Sequence, residues 1–277
     1  MNRIYYKVGK NLISCLEAGE KGKPLVLFLH GIPACAEIWR ETMQRVSERG
    51  FYCLAPDLAG YGQTEIRETE YYSLSGNSKL LNQWLEEQKF EKVWLVAHDL
   101  GGAIAQVMLT DNPSWFVKVT LSNAGTANTY PVPDILKLVK VSKIGLFYWL
   151  ALLGSFKADE VYDEINKLFV RNHPFPKSDF ERIFYDGKLH QRKSIAKFQK
   201  MLARLDNRCT VENMSKLKSI DVPAHLVWAM SDQFQSWETS GTILEKSFSN
   251  VRVSKIENCG HFLQVDANEE FVDKLLS

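Results

Sequence analysis

The chain predicts an α/β fold: a mostly parallel β-sheet covered by helices, interrupted once by a helical insertion. Three observations carry this. Short, continuously apolar segments alternate with helix-length amphipathic ones. Those segments are too apolar for a sheet with one wet face, so helices must cover both sides. The alternation lapses from about residue 127 to 215, where helical patterns continue without a convincing strand, and then resumes.

Taken in order, residues 25–29 form a strand ending at His30-Gly31-Ile32-Pro33. A helical pattern follows from 36 to about 49. The strand at 51–55 then runs into Asp57-Leu58-Ala59-Gly60-Tyr61-Gly62. Residues 74–89 are amphipathic and helical, and they feed an apolar strand at 93–97 that reaches His98-Asp99-Leu100-Gly101-Gly102. Residues 103–109 continue as helix, and 117–121 return as strand. After the insertion, Val222-Pro223 announces a strand at 224–229. The last strand, 251–256, leads into Glu257-Asn258-Cys259-Gly260-His261. The expected division is a core of residues 1–126 and 216–277 with a helical cap of residues 127–215. In α/β sheets such an insertion lies over the carboxyl ends of the strands, where ligands bind.

Composition narrows the function by exclusion. In 277 residues, 34 Lys plus Arg balance 33 Asp plus Glu, which argues against a nucleic-acid partner. The longest apolar run, 144–153, is too short to span a bilayer, and no secretory pattern opens the chain, so no membrane partner is expected. Cys15, Cys35, Cys53, Cys209 and Cys259 are scattered without C-x-x-C spacing, as reduced thiols of a cytoplasmic protein would be. Neither metal-ligand spacing nor a G-x-G-x-x-G fingerprint occurs, so no metal or organic cofactor is expected. The insertion carries 15 Lys plus Arg against 10 Asp plus Glu, and Lys137, Lys140, Lys197 and Lys200 at helical spacing read as solvated faces.

Chemistry concentrates at Asp99. A strand turning sharply into a helix strains its apex residue and lifts that side chain above the sheet edge. The backbones clear one another only with small residues two positions on either side, here Ala97 and Gly101. A plainer reading makes Asp99 a helix N-cap. Asp232 follows the next-to-last strand and His261 the last, so all three can converge on one edge. His261 would be a general base and Asp232 would hold its imidazole in the right tautomer. In Ser231-Asp232-Gln233 the aspartate could equally start a turn.

These motifs resemble the α/β-hydrolase superfamily over nearly the whole length, in the chain order nucleophile, acid, histidine. They are most similar to its epoxide hydrolase and haloalkane dehalogenase branch, which uses an aspartate nucleophile. The matching pieces are His30-Gly31-Ile32-Pro33 with Trp39-Arg40, Ala55-Pro56-Asp57-Leu58-Ala59-Gly60-Tyr61-Gly62, His98-Asp99-Leu100-Gly101-Gly102 and Gly260-His261-Phe262-Leu263-Gln264. The resemblance implies the α/β-hydrolase fold, a small-molecule substrate and a two-step reaction. Asp99 would attack an electrophilic carbon to form an alkyl ester, and water activated by His261 would hydrolyse it. Backbone N–H groups of Ile32 and Leu100 would form the oxyanion hole, with His30 shaping that turn.

For an epoxide, similar hydrolases supply a ring-opening acid from cap tyrosines. Tyr148, in Phe147-Tyr148-Trp149, stands near the first such position, although an apolar helix suits plain packing equally. Tyr162 and Tyr185 are weaker candidates, and Phe198-Gln199-Lys200-Met201 offers no second tyrosine. His30, Trp39, Tyr148 and Trp149 are therefore the candidate substrate-binding side chains. Haloalkane dehalogenases keep tryptophan after the nucleophile and often asparagine after His-Gly; here those positions are Leu100 and Ile32, leaving Trp149 as a halide-facing donor. Fluoroacetate dehalogenases carry arginines where this chain has Leu100 and Ala103. Haloalkane or haloacid dehalogenation is thus the alternative. His-x-Leu-Gly-Gly is also the usual setting of a serine nucleophile in esterases and lactonases, and the same fold serves as a ligand receptor in some relatives.

Overall fold

The computed structural model describes residues 1–185 and 191–277. Its strands are β1 (Asn2–Val8), β2 (Asn11–Ala18), β3 (Leu25–Leu29), β4 (Tyr52–Pro56), β5 (Val93–Asp99), β6 (Phe116–Ala124), β7 (Ala224–Ala229) and β8 (Val251–Ile256). They form one sheet in the order β1-β2-β4-β3-β5-β6-β7-β8, parallel from β4 to β8, with β1 and β2 antiparallel at one edge.

The helices are α1 (Arg40–Ser47), α2 (Leu74–Glu87), α3 (Leu100–Asp111), α4 (Pro133–Lys143), α5 (Leu146–Leu152), α6 (Ala158–Asn166), α7 (Lys177–Phe180), α8 (Arg192–Arg204), α9 (Arg208–Leu217), α10 (Thr242–Ser247), α11 (Leu263–Asp266) and α12 (Asn268–Leu276). Side chains alternate across each strand, so the apolar runs feed two cores. Leu25, Leu27 and Leu29 of β3 join Leu95 and Ala97 of β5 beneath α2 and α3. Val26, Phe28, Trp94 and Val96 face the opposite core, which takes Met43 and Val46 from α1 and Phe271 and Leu275 from α12.

Three departures from the sequence pattern have local causes. The edge hairpin β1–β2 carries no continuous apolar run, because β1 lies at the rim and alternates between exposed and half-buried residues. The first helical segment opens with a 3₁₀ turn, Ala36–Trp39, before α1. And α3 starts at Leu100, directly after Asp99, rather than at residue 103.

The helical insertion leaves the sheet after β6 and returns to it before β7. It is bound to the sheet side by ion pairs as well as apolar contact. Arg182 reaches Glu37 at 2.9 Å, and Glu37 also holds Arg3 and Arg40 at 2.7 Å each. Burial works against ionisation of Glu37, but hydrogen bonds from Arg40, Arg3 and Arg182 prevail and bring its pKa down to about 2. On α8, Met201 packs on Gly60 so closely that a Cβ there would lie 2.6 Å from the Met201 Cβ.

Candidate active site

Asp99 occupies the apex between β5 and α3 with φ 49° and ψ −112°, a conformation that costs a non-glycine residue about 1–3 kcal/mol. Its neighbours make room. A Cβ on Gly31 would fall 2.5 Å from the Asp99 Cβ, and one on Gly101 would fall 2.5 Å from the Leu29 carbonyl oxygen. The carboxylate makes no capping bond to α3. Instead Oδ1 accepts the Ile32 N–H at 2.8 Å, and the Leu100 N–H favours the ionised carboxylate. Of the two expected oxyanion-hole donors, Ile32 is therefore engaged by Asp99 itself. Burial raises the Asp99 pKa, opposed by the positive field of His261 and by those two N–H groups.

His261 and Asp232 meet at the adjoining strand ends. His261 Nδ1 donates to Asp232 Oδ2 at 2.8 Å, which leaves Nε2 with the lone pair a base needs. Asp232 is further held by the Phe234 N–H at 2.8 Å and the Asn123 amide at 2.7 Å. Burial disfavours its charge, yet His261 and these donors outweigh burial and hold its carboxyl below the usual range. Burial likewise pulls His261 down, while Asp232 and Asp99 raise it above an ordinary histidine. His98 lies beneath, its ring centroid 4.6 Å from that of His261, donating Nδ1–H to the Ser122 carbonyl at 3.0 Å. Burial and the His261 charge push its pKa well below the usual value, so His98 stays neutral.

The loop entering His261 is clasped by the insertion. The Asp266 carboxylate accepts the Gly260 N–H at 2.7 Å and the N–H groups of Val170, Arg171 and Asn172 at 2.7–3.1 Å. His261 N–H donates to the Leu168 carbonyl at 3.0 Å, and Gly260 passes so near that carbonyl that a Cβ would collide with it. Arg171 adds hydrogen bonds to the carbonyls of Asn258 and Glu257. One carboxylate thus sets both the backbone before the imidazole and the segment after α6.

The expected substrate-binding residues separate. His30 is buried, accepts the Leu58 N–H on Nε2 at 3.0 Å and stands 5.0 Å from the Tyr61 ring, which ties its turn to the Leu58–Tyr61 segment. Trp39 is not brought to the site: it is fully buried in the opposite core, between Phe28 and Phe271, because its 3₁₀ turn faces α12. Tyr148 packs half-buried on the insertion, edge-on to Trp149 at 5.6 Å, and Trp149 faces outward. Neither shows a contact with Asp99 among the described residues. Tyr162 donates to the Phe175 carbonyl at 2.7 Å and is occupied there.

Two other tyrosines lie within the field of the Asp99 charge. Tyr61 and Tyr130 are fully buried, and for both, burial and then the negative charge of Asp99 push the phenol pKa well up. The Tyr130 hydroxyl has no hydrogen-bond partner among the described residues, and that of Tyr61 meets only the weak Met201 thioether, at 3.7 Å, among its hydrogen bonds. A Cβ on Gly125 would clash with the Tyr130 ring, so that glycine admits it to the site. Tyr61 was visible in the Gly60-Tyr61-Gly62 turn, whereas Tyr130 and Asn123 carry no spacing signal. Among the described residues no group of three or more His, Cys, Asp or Glu could hold a metal ion, and no helix is long and apolar enough to cross a membrane.

Residues 24–268 match the family described as alpha/beta hydrolase fold. The chain is 27% identical over 267 residues to a Xenopus laevis protein named monoacylglycerol lipase abhd6-B, covering 94% of this chain and 77% of that one. It is 41% identical over 93 residues to a haloalkane dehalogenase of Mesorhizobium japonicum, covering 34% and 29%. It is 33% identical over 119 residues to mouse epoxide hydrolase 4, covering 43% and 31%. The crystal structure of an alpha/beta hydrolase fold protein from Burkholderia ambifaria superposes with a TM-score of 0.85 at 24% identity, covering 99% and 96% of the two chains.

Proposed function

The chain belongs to the α/β-hydrolase fold family, and we propose that it hydrolyses epoxides through an alkyl ester on Asp99. One observation carries the reading. The carboxylate stands at the elbow apex with an oxygen already gripped by the Ile32 N–H, the group that must stabilise an oxyanion formed on Asp99 itself.

In the first step an Asp99 oxygen bonds to an epoxide carbon as the ring C–O bond breaks. The electron pair moves to the ring oxygen, which takes a proton from a phenol. Tyr130 is the donor we assign, with Tyr61 beside it: burial keeps both phenols protonated, and the Tyr130 hydroxyl is uncommitted among the described residues. Tyr148, the position implied by the resemblance, is half-buried on the insertion beside Trp149. In the second step His261 Nε2 takes a proton from water, whose oxygen adds to the Asp99 carboxyl carbon. The oxyanion rests on Ile32 and Leu100. Its collapse expels the alkoxide, which takes the proton from His261, and a diol leaves; the second water proton, left on the Asp99 carboxyl, returns to the phenolate and restores both groups.

Dehalogenation fits less well. A departing halide wants side-chain N–H donors, whereas Ile32 and Leu100 offer none and Trp149 faces outward. The monoacylglycerol lipase likeness spans more of the chain, but aspartate acylated by an ester would become an anhydride, so Asp99 argues against that chemistry here. Intact-mass measurement of His261→Gln incubated with small epoxides, haloalkanes and haloacetates decides. We expect an adduct equal to the whole epoxide, lost in the Asp99→Ala double variant. An adduct lacking halogen reassigns the substrate, and no adduct on folded protein removes Asp99 as nucleophile.

A further inference from the structure

The outer corner of the insertion is apolar where solvent should favour polar groups. All seven residues of α5, Leu146-Phe147-Tyr148-Trp149-Leu150-Ala151-Leu152, are apolar or aromatic. Its inner side is accounted for: Phe147 is buried against Phe156 and Phe198, at ring centroid distances of 5.1 and 5.6 Å. The outer side is not. Leu146, Trp149 and Leu153 follow i, i+3, i+7 spacing along one face and are 41%, 62% and 82% exposed, with Ile144 beside them at 75%. A helix apolar all round normally has both faces covered, and clustered exposed side chains of this size mark an interaction surface.

Charge says what covers it. On α4, Leu136, Lys140 and Lys143 share a face by i, i+4, i+7 spacing and lead straight into Ile144. Four carboxylates of the insertion have cations of their own: Asp134 holds Lys137, Glu160 holds Lys157, Asp159 holds Lys177 and Asp206 holds Arg208. Asp206 also feels Lys143, yet its salt bridge is to Arg208. Lys140 and Lys143 have no salt bridge among the described residues, so the corner carries surplus positive charge next to its apolar face. A second copy of this chain would bring the same lysines against each other, which opposes self-association through this face. A surface offering apolar depth beneath a negatively charged layer satisfies both features.

We propose that the α4–α5 corner docks this protein on anionic phospholipid bilayers, with Trp149, Leu153 and Ile144 entering the interface and Lys140 and Lys143 meeting the headgroups. The chain needs no spanning segment for this, and the sequence's lack of one bears only on spanning. The inference stands independently of the chemistry at Asp99.

Co-sedimentation of the full chain with phosphatidylcholine vesicles, with and without phosphatidylserine, tests it. Binding should require phosphatidylserine and weaken with added salt. Lys140→Glu/Lys143→Glu and Trp149→Ser/Leu153→Ser should each weaken it by about tenfold or more, with unchanged melting temperatures. A blue shift of tryptophan emission on vesicle binding should be reduced in Trp149→Phe. Absence of binding to phosphatidylserine vesicles, or equal binding by both double variants, overturns the proposal. So does a dimer in sedimentation velocity that Trp149→Ser/Leu153→Ser dissociates, because a second copy would then be the occupant.

Discussion

The two walls of the candidate site are built on opposite principles. On the histidine wall the groups that position the base are committed: His261 to Asp232, Asp232 to Phe234 and Asn123, and the preceding backbone to Asp266, while the His98 Nε2 beneath them has no partner among the described residues. On the tyrosine wall two buried phenols lie within the field of the Asp99 charge, one hydroxyl unpaired among the described residues and the other hydrogen-bonded to sulfur. Buried polar groups are ordinarily satisfied, and leaving one without a partner costs about 1–3 kcal/mol. The first wall is machinery held in register. The second holds donors in reserve, which makes sense if the missing acceptor is substrate oxygen.

The largest effect separates the walls from what they serve. Asp99→Ala should abolish turnover, by about 10⁴-fold or more, without unfolding the protein, since it keeps the Cβ beside Gly31 and removes a carboxylate whose charge burial disfavours. Steady-state kinetics and a melting curve check both halves. Turnover that survives would place the chemistry elsewhere.

Next comes the reserve donor. Tyr130→Phe should slow epoxide opening by about 10²–10³-fold, the usual worth of a positioned acid, while leaving stability unchanged or raised. Tyr148→Phe should change neither. If the two variants behave alike, the contrast between the walls loses its meaning.

How much of this was legible in the sequence follows the same division. Asp99, Asp232 and His261 were legible as candidates because each lies at or shortly beyond the carboxyl end of a strand, and strand ends in a parallel sheet share an edge. Gly101 was readable, with Ala97, because the backbones at a sharp strand-to-helix turn clear one another only with small residues two positions from the apex. Asn123 and Asp266 were not, since a short polar residue after a strand or within an apolar helix has many uses, and only tertiary contact selects one. Tyr130 was hidden for the same reason, in a segment without periodicity. Trp39 and Trp149 misled, because an aromatic in an apolar stretch can face core, site or solvent with equal local pattern. The β1–β2 hairpin escaped because an edge strand need not be continuously apolar.

A committed wall should fail differently from a reserve one. Asp266→Asn puts an amide donor where four N–H groups point, so it should lower stability by about 2–3 kcal/mol in denaturant unfolding. It should also slow ester hydrolysis more than ester formation, because the disturbed backbone carries His261. Equal slowing of both steps would reduce Asp266 to a purely structural anchor.

The smallest effect is a pH shift. His261 must be neutral to activate water, so the rate of ester hydrolysis rises as pH passes upward through its pKa. In the free protein Asp232 and Asp99 hold that pKa above 6.5 against burial. Once Asp99 is esterified its charge is gone, so the limb for ester hydrolysis should lie lower than the histidine titration of the free protein. Stopped-flow single turnovers beside NMR titration of His261 compare the two. A hydrolysis limb lying higher would contradict the charge coupling.

The most direct test of the covalent account is the fate of water oxygen in one turnover. Excess protein is mixed with an epoxide in ¹⁸O-water, quenched after a single turnover, and both diol and peptides are weighed. Water attacking the Asp99 carboxyl carbon predicts an unlabelled diol and a heavy oxygen in the peptide bearing Asp99. A labelled diol with an unlabelled peptide would mean that water attacks the epoxide directly, and Asp99 would then not be the nucleophile.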